Sequence, residues 1–195
     1  MKRAVDILAS ATGLLVLSPL LALTALLVRL TSRGPVFFRQ TRVGRNFAPF
    51  QILKFRTMVQ DAEARGAQLT AGRDPRITPV GQFLRRTKID ELPQLINVLK
   101  GDMSLVGPRP EVPRYVELFR DDYEQLLRVR PGITDIASLR YRHESELLGQ
   151  SSDPEAMYVR QILPDKIALG KEYLQRQSLL LDLSLMARTV LRMAG

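Results

Sequence analysis

Ile7 to Val28 reads ILASATGLLVLSPLLALTALLV, 22 residues without a charge. At 1.5 Å per residue a helix of that length reaches about 33 Å, and the hydrocarbon core of a bilayer is about 30 Å thick. Length alone therefore allows a straight membrane span. The run is long for the apolar part of a cleavable signal, and no A-x-A site follows it. Ser18-Pro19 stands in its middle, where the proline removes a backbone hydrogen bond and bends a helix. The Ser18 hydroxyl is available to a carbonyl freed in this way. Lys2 and Arg3 precede the run, and Arg29, Arg33 and Arg39 follow it. Basic flanks favour the cytoplasmic side, so both ends agree only if both lie there. A kinked helix that enters one leaflet and returns accounts for the proline and for both flanks. A straight span accounts for the length alone.

Outward from this segment the charge is uneven. Residues 1–60 carry nine bases against Asp6, a net +8 of the chain's +9, whereas residues 61–195 are nearly balanced. Positive charge gathered around an apolar segment, Lys2 and Arg3 included, suits an anionic membrane surface. Nucleic-acid binders spread their bases over the folded domain, and no nucleic-acid module is present. Cysteine is absent, which excludes disulfides, thiolate metal sites and a Cys nucleophile. One histidine, His143, leaves no His cluster for zinc and no Ser-His-Asp triad. His143 lies in an Arg-rich loop and reads as structural. Any catalysis then falls to carboxylates, bases, hydroxyls or a hard cation. With 45% hydrophobic residues the rest of the chain folds.

In that part, Val36-Phe37-Phe38 and residues 49–55 read as short strands around Gly44-Arg45-Asn46. Residues 57–69 read as a polar helix, 111–128 as one amphipathic helix, and 155–193 as helix in two parts broken near Pro164. The leucine-rich end of the chain is expected to pack on the core rather than lie in a membrane interface. Leu92, Leu95, Ile96 and Leu99 form an apolar stripe at i, i+3, i+4 and i+7, and Gly101 stops that helix. Pro93 is tolerated only in a first turn, which predicts Asp90 as N-cap and Glu91 as first helical residue. Two carboxylates at a helix N-terminus are explained by capping alone. Their surroundings point further: Arg85, Arg86 and Lys88 precede them, and Val106-Gly107-Pro108-Arg109-Pro110 stiffens the backbone that presents Arg109. Carboxylates among guanidinium and ammonium groups suit a magnesium diphosphate, the acids holding the cation and the bases the phosphates. A surface salt-bridge network has the same composition.

The chain resembles the bacterial sugar transferases, small monotopic phosphoglycosyl transferases, over nearly its whole length. The resemblance rests on Lys2-Arg3-x-x-Asp6, Ser18-Pro19, Gly34-Pro35-Val36-Phe37-Phe38, Lys54-Phe55-Arg56-Thr57-Met58, residues 87–94 (TKIDELPQ), residues 101–110 (GDMSLVGPRP) and Arg130-Pro131-Gly132-Ile133-Thr134. It implies an α+β, mostly helical fold: a re-entrant membrane helix over residues 1–32, then a globular catalytic domain over residues 33–195 with short strands and interfacial amphipathic helices. Larger members carry amino-terminal extensions, so the chain looks like their minimal catalytic unit.

The resemblance also implies a reaction in which a phosphosugar passes from a UDP-sugar to polyprenyl (undecaprenyl) phosphate, releasing UMP. Asp90 would be the nucleophile, Glu91 would hold Mg²⁺ with it or manage protons, and Lys54, Arg56, Arg85 and Arg109 would lie near the phosphates. Membrane phospholipid, a second copy of the chain and downstream glycosyltransferases are the further partners implied, at the cytoplasmic face of the bacterial inner membrane. After Thr134 many members continue with glycine and a nearby glutamine; here the chain reads Asp135-Ile136-Ala137-Ser138-Leu139-Arg140, and no sugar or nucleotide contact carries over to that loop. A membrane-attached scaffold holding anionic lipid or a partner enzyme is the reading without catalysis.

Overall fold

The computed structural model describes residues 1–62, 69–72 and 74–194. α1 (Lys2–Val16) and α2 (Ser18–Thr31) form the amino-terminal segment, and the two axes meet at 63°. Among the described residues no single helix is long and apolar enough to cross a membrane; this bent pair passes that test only as a pair. The bend has a local cause. Pro19 lacks the N–H that would reach the Leu15 carbonyl, and the Ser18 hydroxyl donates to that carbonyl instead at 2.8 Å. Leu8, Leu15, Val16, Leu23, Leu26 and Leu30 of the pair are exposed.

The inner side of α1 is polar and docked. Asp6 is 4% exposed and its carboxylate accepts from the Ser104 hydroxyl and the Leu105 N–H. Lys2 and Arg3, expected at a lipid surface, are part-exposed and also bonded to the body of the protein. Lys2 Nζ donates to Asp182 at 2.5 Å and to the Tyr173 hydroxyl. Arg3 donates to the carbonyls of Val98 and Leu99, the free carbonyl end of a helix where a cation is stabilised. The Lys-Arg-x-x-Asp motif therefore anchors α1 to the body of the protein.

β1 (Phe37–Val43) and β2 (Pro49–Phe55) form an antiparallel hairpin with Phe37 opposite Phe55; the two strands around Gly44 are as expected, but the first runs on to Val43 rather than ending at Phe38. The chain then runs without helix through Asp61 and Ala62, and an isolated bridge joins Met58 to Ile77. The polar helix predicted for 57–69 is thus absent at 57–62, and residues 63–68 lie outside the described residues. α3 (Pro79–Thr87) is capped by the Thr78 hydroxyl. A 3-10 turn over Ile89–Glu91 leads into α4 (Gln94–Lys100), which Gly101 ends in a left-handed conformation, φ 94°. β3 (Ser104–Val106) pairs in parallel with β4 (Gly132–Thr134), and α5 (Pro113–Leu118) and α6 (Arg120–Leu126) make the crossover.

The single helix predicted for 111–128 is broken at Phe119, φ −125°. The break re-phases the chain so that Tyr115, Val116, Tyr123 and Leu126 all enter one core with Val112, Leu148, Tyr158 and Ile162. α7 (Ile136–Arg140), α8 (Glu144–Gly149) and α9 (Pro154–Met157) follow, then a π-helical turn, α10 (Leu163–Arg176) and α11 (Leu179–Ala194). Pro164 does not break the helix as expected. It follows the π-helical turn Tyr158–Ile162, which takes up the missing N–H within a continuous helix, and the chain breaks at Gln177 and Ser178 instead. In α11, Leu181, Leu185 and Met186 pack on Val106 and Tyr173, as expected of the chain's end, while Leu180, Leu183, Val190 and Leu191 are exposed.

Candidate active site

Lys88 ends α3 in a left-handed conformation, φ 58°, which turns the chain back and points Asp90 inward. Asp90 is not the N-cap of α4. It lies inside the 3-10 turn, whose bonds run from the N–H of Glu91 to Lys88 O and from the N–H of Leu92 to Ile89 O. The helical angles of Leu92 and Pro93 already satisfy the chain before α4 begins, so no carboxylate is needed as a cap. Asp90 is 6% exposed, and its Oδ1 has no hydrogen-bond partner among the described residues. Burial pushes its carboxyl up to about 6, with the charge of Glu91 adding to the rise.

Glu91 is the opposite case. The Arg109 guanidinium grips both its oxygens, Nη2 to Oε1 at 2.5 Å and Nη1 to Oε2 at 3.2 Å, and Lys54 Nζ reaches Oε1 at 2.8 Å. Burial alone would raise its carboxyl; Arg109 and then Lys54 outweigh that and hold it well below the usual range. Arg109 is stabilised as a cation by the same contact. Two neighbouring carboxyls are thereby driven apart, one fixed as an anion and one poised near neutrality, the pattern that separates roles in acid–base sites.

Three elements converge to build this. Lys54 comes from β2, Arg109 from the loop after β3, and the acid pair from the turn before α4. Asn97 locks α4 onto β2: its Oδ1 accepts from the Leu53 N–H, and its Nδ2 donates to Gln51 O, as a neighbouring strand would. Asp135 locks the Arg109 loop, accepting from the Arg109 N–H at 3.2 Å and the Ser138 N–H at 2.6 Å. The loop after β4 thus aims Arg109. Arg85 lies on α3, with Nε on the Thr57 hydroxyl and Nη1 on that of Thr70; burial lowers its basicity, and Asp90 is the first charge opposing that.

Arg56 lies apart. It is 7% exposed, and its Nη2 donates to Val28 O, Ser32 O and Ser32 Oγ, fastening the end of α2 to β2. A Cβ on Gly34 would sit 2.2 Å from its Nη1, so the Gly34 position must stay bare. Of the bases expected near phosphates, the structure gathers Lys54, Arg85 and Arg109 around the acid pair and assigns Arg56 to the anchor. His143 is exposed beside Glu146.

Among the described residues no group of three or more His, Cys, Asp or Glu side chains is assembled for a metal. Asp90, whose Oδ1 has no partner among the described residues, is the carboxylate that fits Mg²⁺, with water and substrate phosphates completing the shell; Glu91 would join only by giving up a contact to Arg109 or Lys54.

Comparison with known proteins matches the sequence to one family along its full length. The bacterial sugar transferase family covers residues 1–195. A UDP-glucose:undecaprenyl-phosphate glucose-1-phosphate transferase of Caulobacter vibrioides is 42% identical over 97% of this chain and 68% of its own length. An exopolysaccharide production protein, PSS, of Rhizobium leguminosarum bv. phaseoli is 41% identical over 97% of this chain and 93% of its own. A UDP-N-acetylgalactosamine-undecaprenyl-phosphate N-acetylgalactosaminephosphotransferase of Aeromonas hydrophila is 41% identical over 97% of this chain, which spans 42% of that protein's length. The stretches that carry Asp90, Glu91, Lys54 and Arg109 all lie within the matched residues, and the chain belongs to the bacterial sugar transferase family.

Proposed function

We propose that this chain is a phosphoglycosyl transferase that moves a sugar 1-phosphate from a UDP-sugar to undecaprenyl phosphate, releasing UMP. The observation that carries the reading is the Asp90–Glu91 pair, buried among Lys54, Arg85 and Arg109 in a chain matched by the family from end to end. A carboxylate is ordinarily repelled by a diphosphate. Here its basicity is raised by burial, it still ionises near neutral pH, and cationic side chains surround it.

The Asp90 carboxylate attacks the sugar-proximal phosphorus and UMP leaves with the bond's electron pair, giving an aspartyl phosphosugar. The acceptor phosphate then attacks the same phosphorus and returns Asp90 as a carboxylate. Lys54, Arg85 and Arg109 offset negative charge on the phosphates. Asp90, joined by Glu91 only where it gives up a contact to Arg109 or Lys54, would hold Mg²⁺, which when bound neutralises phosphate charge. The lipid acceptor cannot leave the bilayer cheaply, since each exposed CH₂ costs about 0.8 kcal/mol. The bent α1–α2 pair, its exposed leucines and both basic flanks support a re-entrant anchor that holds the site at the cytoplasmic face of the inner membrane.

Incubating the protein with a panel of UDP-sugars, undecaprenyl phosphate and Mg²⁺ tests this through UMP release. Turnover with one or more donors, lost in EDTA, is the expected outcome. No UMP across a broad panel would overturn the assignment and leave the membrane-attached scaffold.

A further inference from the structure

Gln94 is fully buried, and neither its amide nitrogen nor its amide oxygen has a hydrogen-bond partner among the described residues. A native protein seldom retains such a group without a use for it. The nearest comparable atom along the chain is Asp90 Oδ1, also buried and unpartnered. Leu92 and Pro93 between them have right-handed helical angles, so Gln94 follows Asp90 by little more than one turn of the chain.

Resting on the transfer reaction above, we propose that Gln94 is a positioning residue for Asp90, its Nε2–H donating to Asp90 Oδ1 once Oδ2 is bonded to phosphorus. When the Oδ2–P bond forms, the bond to UMP breaks and its electron pair leaves on UMP; no proton moves. Asp90 then loses its negative charge, and with it the pull of Lys54, Lys88 and Arg85. Oδ1 becomes a neutral carbonyl oxygen, on which a directed hydrogen-bond donor has a stronger hold than the surrounding side-chain charges. When the acceptor phosphate displaces Oδ2, charge returns to the carboxylate, and a donor already at Oδ1 stabilises it as it develops. The uncharged carboxamide suits both stages: a Lys or Arg in its place would pair with the resting carboxylate and blunt its attack.

A purely structural use of Gln94 would be to tie α4 to α1. Ser10 Oγ, likewise buried and unpartnered, lies on the α1 face that also carries Asp6 and Gly13, and a Cβ on Gly13 would touch Leu95. Ser10→Ala is therefore the control.

The test uses the full chain in lipid nanodiscs. Wild-type protein is loaded with its UDP-sugar in the absence of acceptor, and discharge of the adduct by undecaprenyl phosphate is followed in a single turnover. Gln94→Met, of equal length but without a donor, is expected to slow discharge about tenfold, the worth of one hydrogen bond to a charged group. Its KM for UDP-sugar should stay within about threefold, and Gln94→Asn should fall between the two. Ser10→Ala should discharge as wild type does. Wild-type discharge by Gln94→Met, a loss confined to KM, or an equal loss in Ser10→Ala overturns the role. If Gln94→Met fails to fold, wild-type discharge by Gln94→Asn overturns it instead. A wild-type protein that never loads an adduct overturns the reaction itself, a separate result.

Discussion

Asp90 and Glu91 are adjacent in sequence and opposite in energetics. Asp90 is held ionised in a place that disfavours its charge. Its carboxyl is raised from 3.8 to about 6, so its contribution to stability is full below pH 3.8 and lost as pH rises through 6. At neutral pH the ionised group therefore destabilises the fold. Asp90→Asn is expected to abolish UMP release while raising the melting temperature at pH 7.5, by a free energy on the order of 2 kcal/mol. By the same sign, kcat/KM of the wild type should fall as pH drops below about 6, where Asp90 takes up its proton. A variant that melts lower than wild type would contradict the burial argument. Glu91→Gln leaves Arg109 and Lys54 without their shared anion, and removing one partner from a buried ion pair costs about 3–5 kcal/mol. Thermal melts of the two variants should therefore move in opposite directions, although both lose turnover.

At the scale of elements, the hairpin of β1 and β2 and the Ser18-Pro19 bend were legible because their causes are local. Alternating residues around Gly44, and a proline beside a hydroxyl, act within a few positions. α4 shows where the reading failed. Its apolar stripe of Leu92, Leu95, Ile96 and Leu99 is only partly buried, while Gln94, Asn97 and Val98 are enclosed. The helix lies between apolar α1 and a polar site, so its most buried face is partly polar, the reverse of an ordinary surface helix. The acid pair was visible because Arg85 and Lys88 lie close to it in sequence, whereas Lys54 and Arg109, which grip Glu91, come from 37 and 18 residues away. Asn97, Asp135 and Asp6 were not visible as supports, because their partners lie 26 to 99 residues away. Asp6→Ala tests the support that ties α1 to β3. It strips the Ser104 hydroxyl and the Leu105 N–H of their buried acceptor, and a melting experiment should show a loss of about 1–3 kcal/mol. An unchanged melt would mean that Lys2, Arg3 and the apolar contacts hold α1 without Asp6.

As a whole molecule the protein is a bent helix pair fastened to a charged pocket. Lys2, Arg3 and Asp6 pin α1 to α11, α4 and β3, and Arg56 pins α2 to β2, so the bent pair and the site form one framework. A re-entrant pair returns residue 2 to the side from which it entered. Thiol labelling of Lys2→Cys in intact cells should therefore need a membrane-permeant reagent, and labelling from the periplasmic side would show a span instead. The most direct measurement concerns the residue on which the chemistry turns. Purified protein, given its UDP-sugar and Mg²⁺ with no lipid acceptor, should release UMP once and carry the phosphosugar mass on the peptide containing Asp90. Acceptor-dependent turnover with no adduct, or with an adduct on any other residue, would contradict the account.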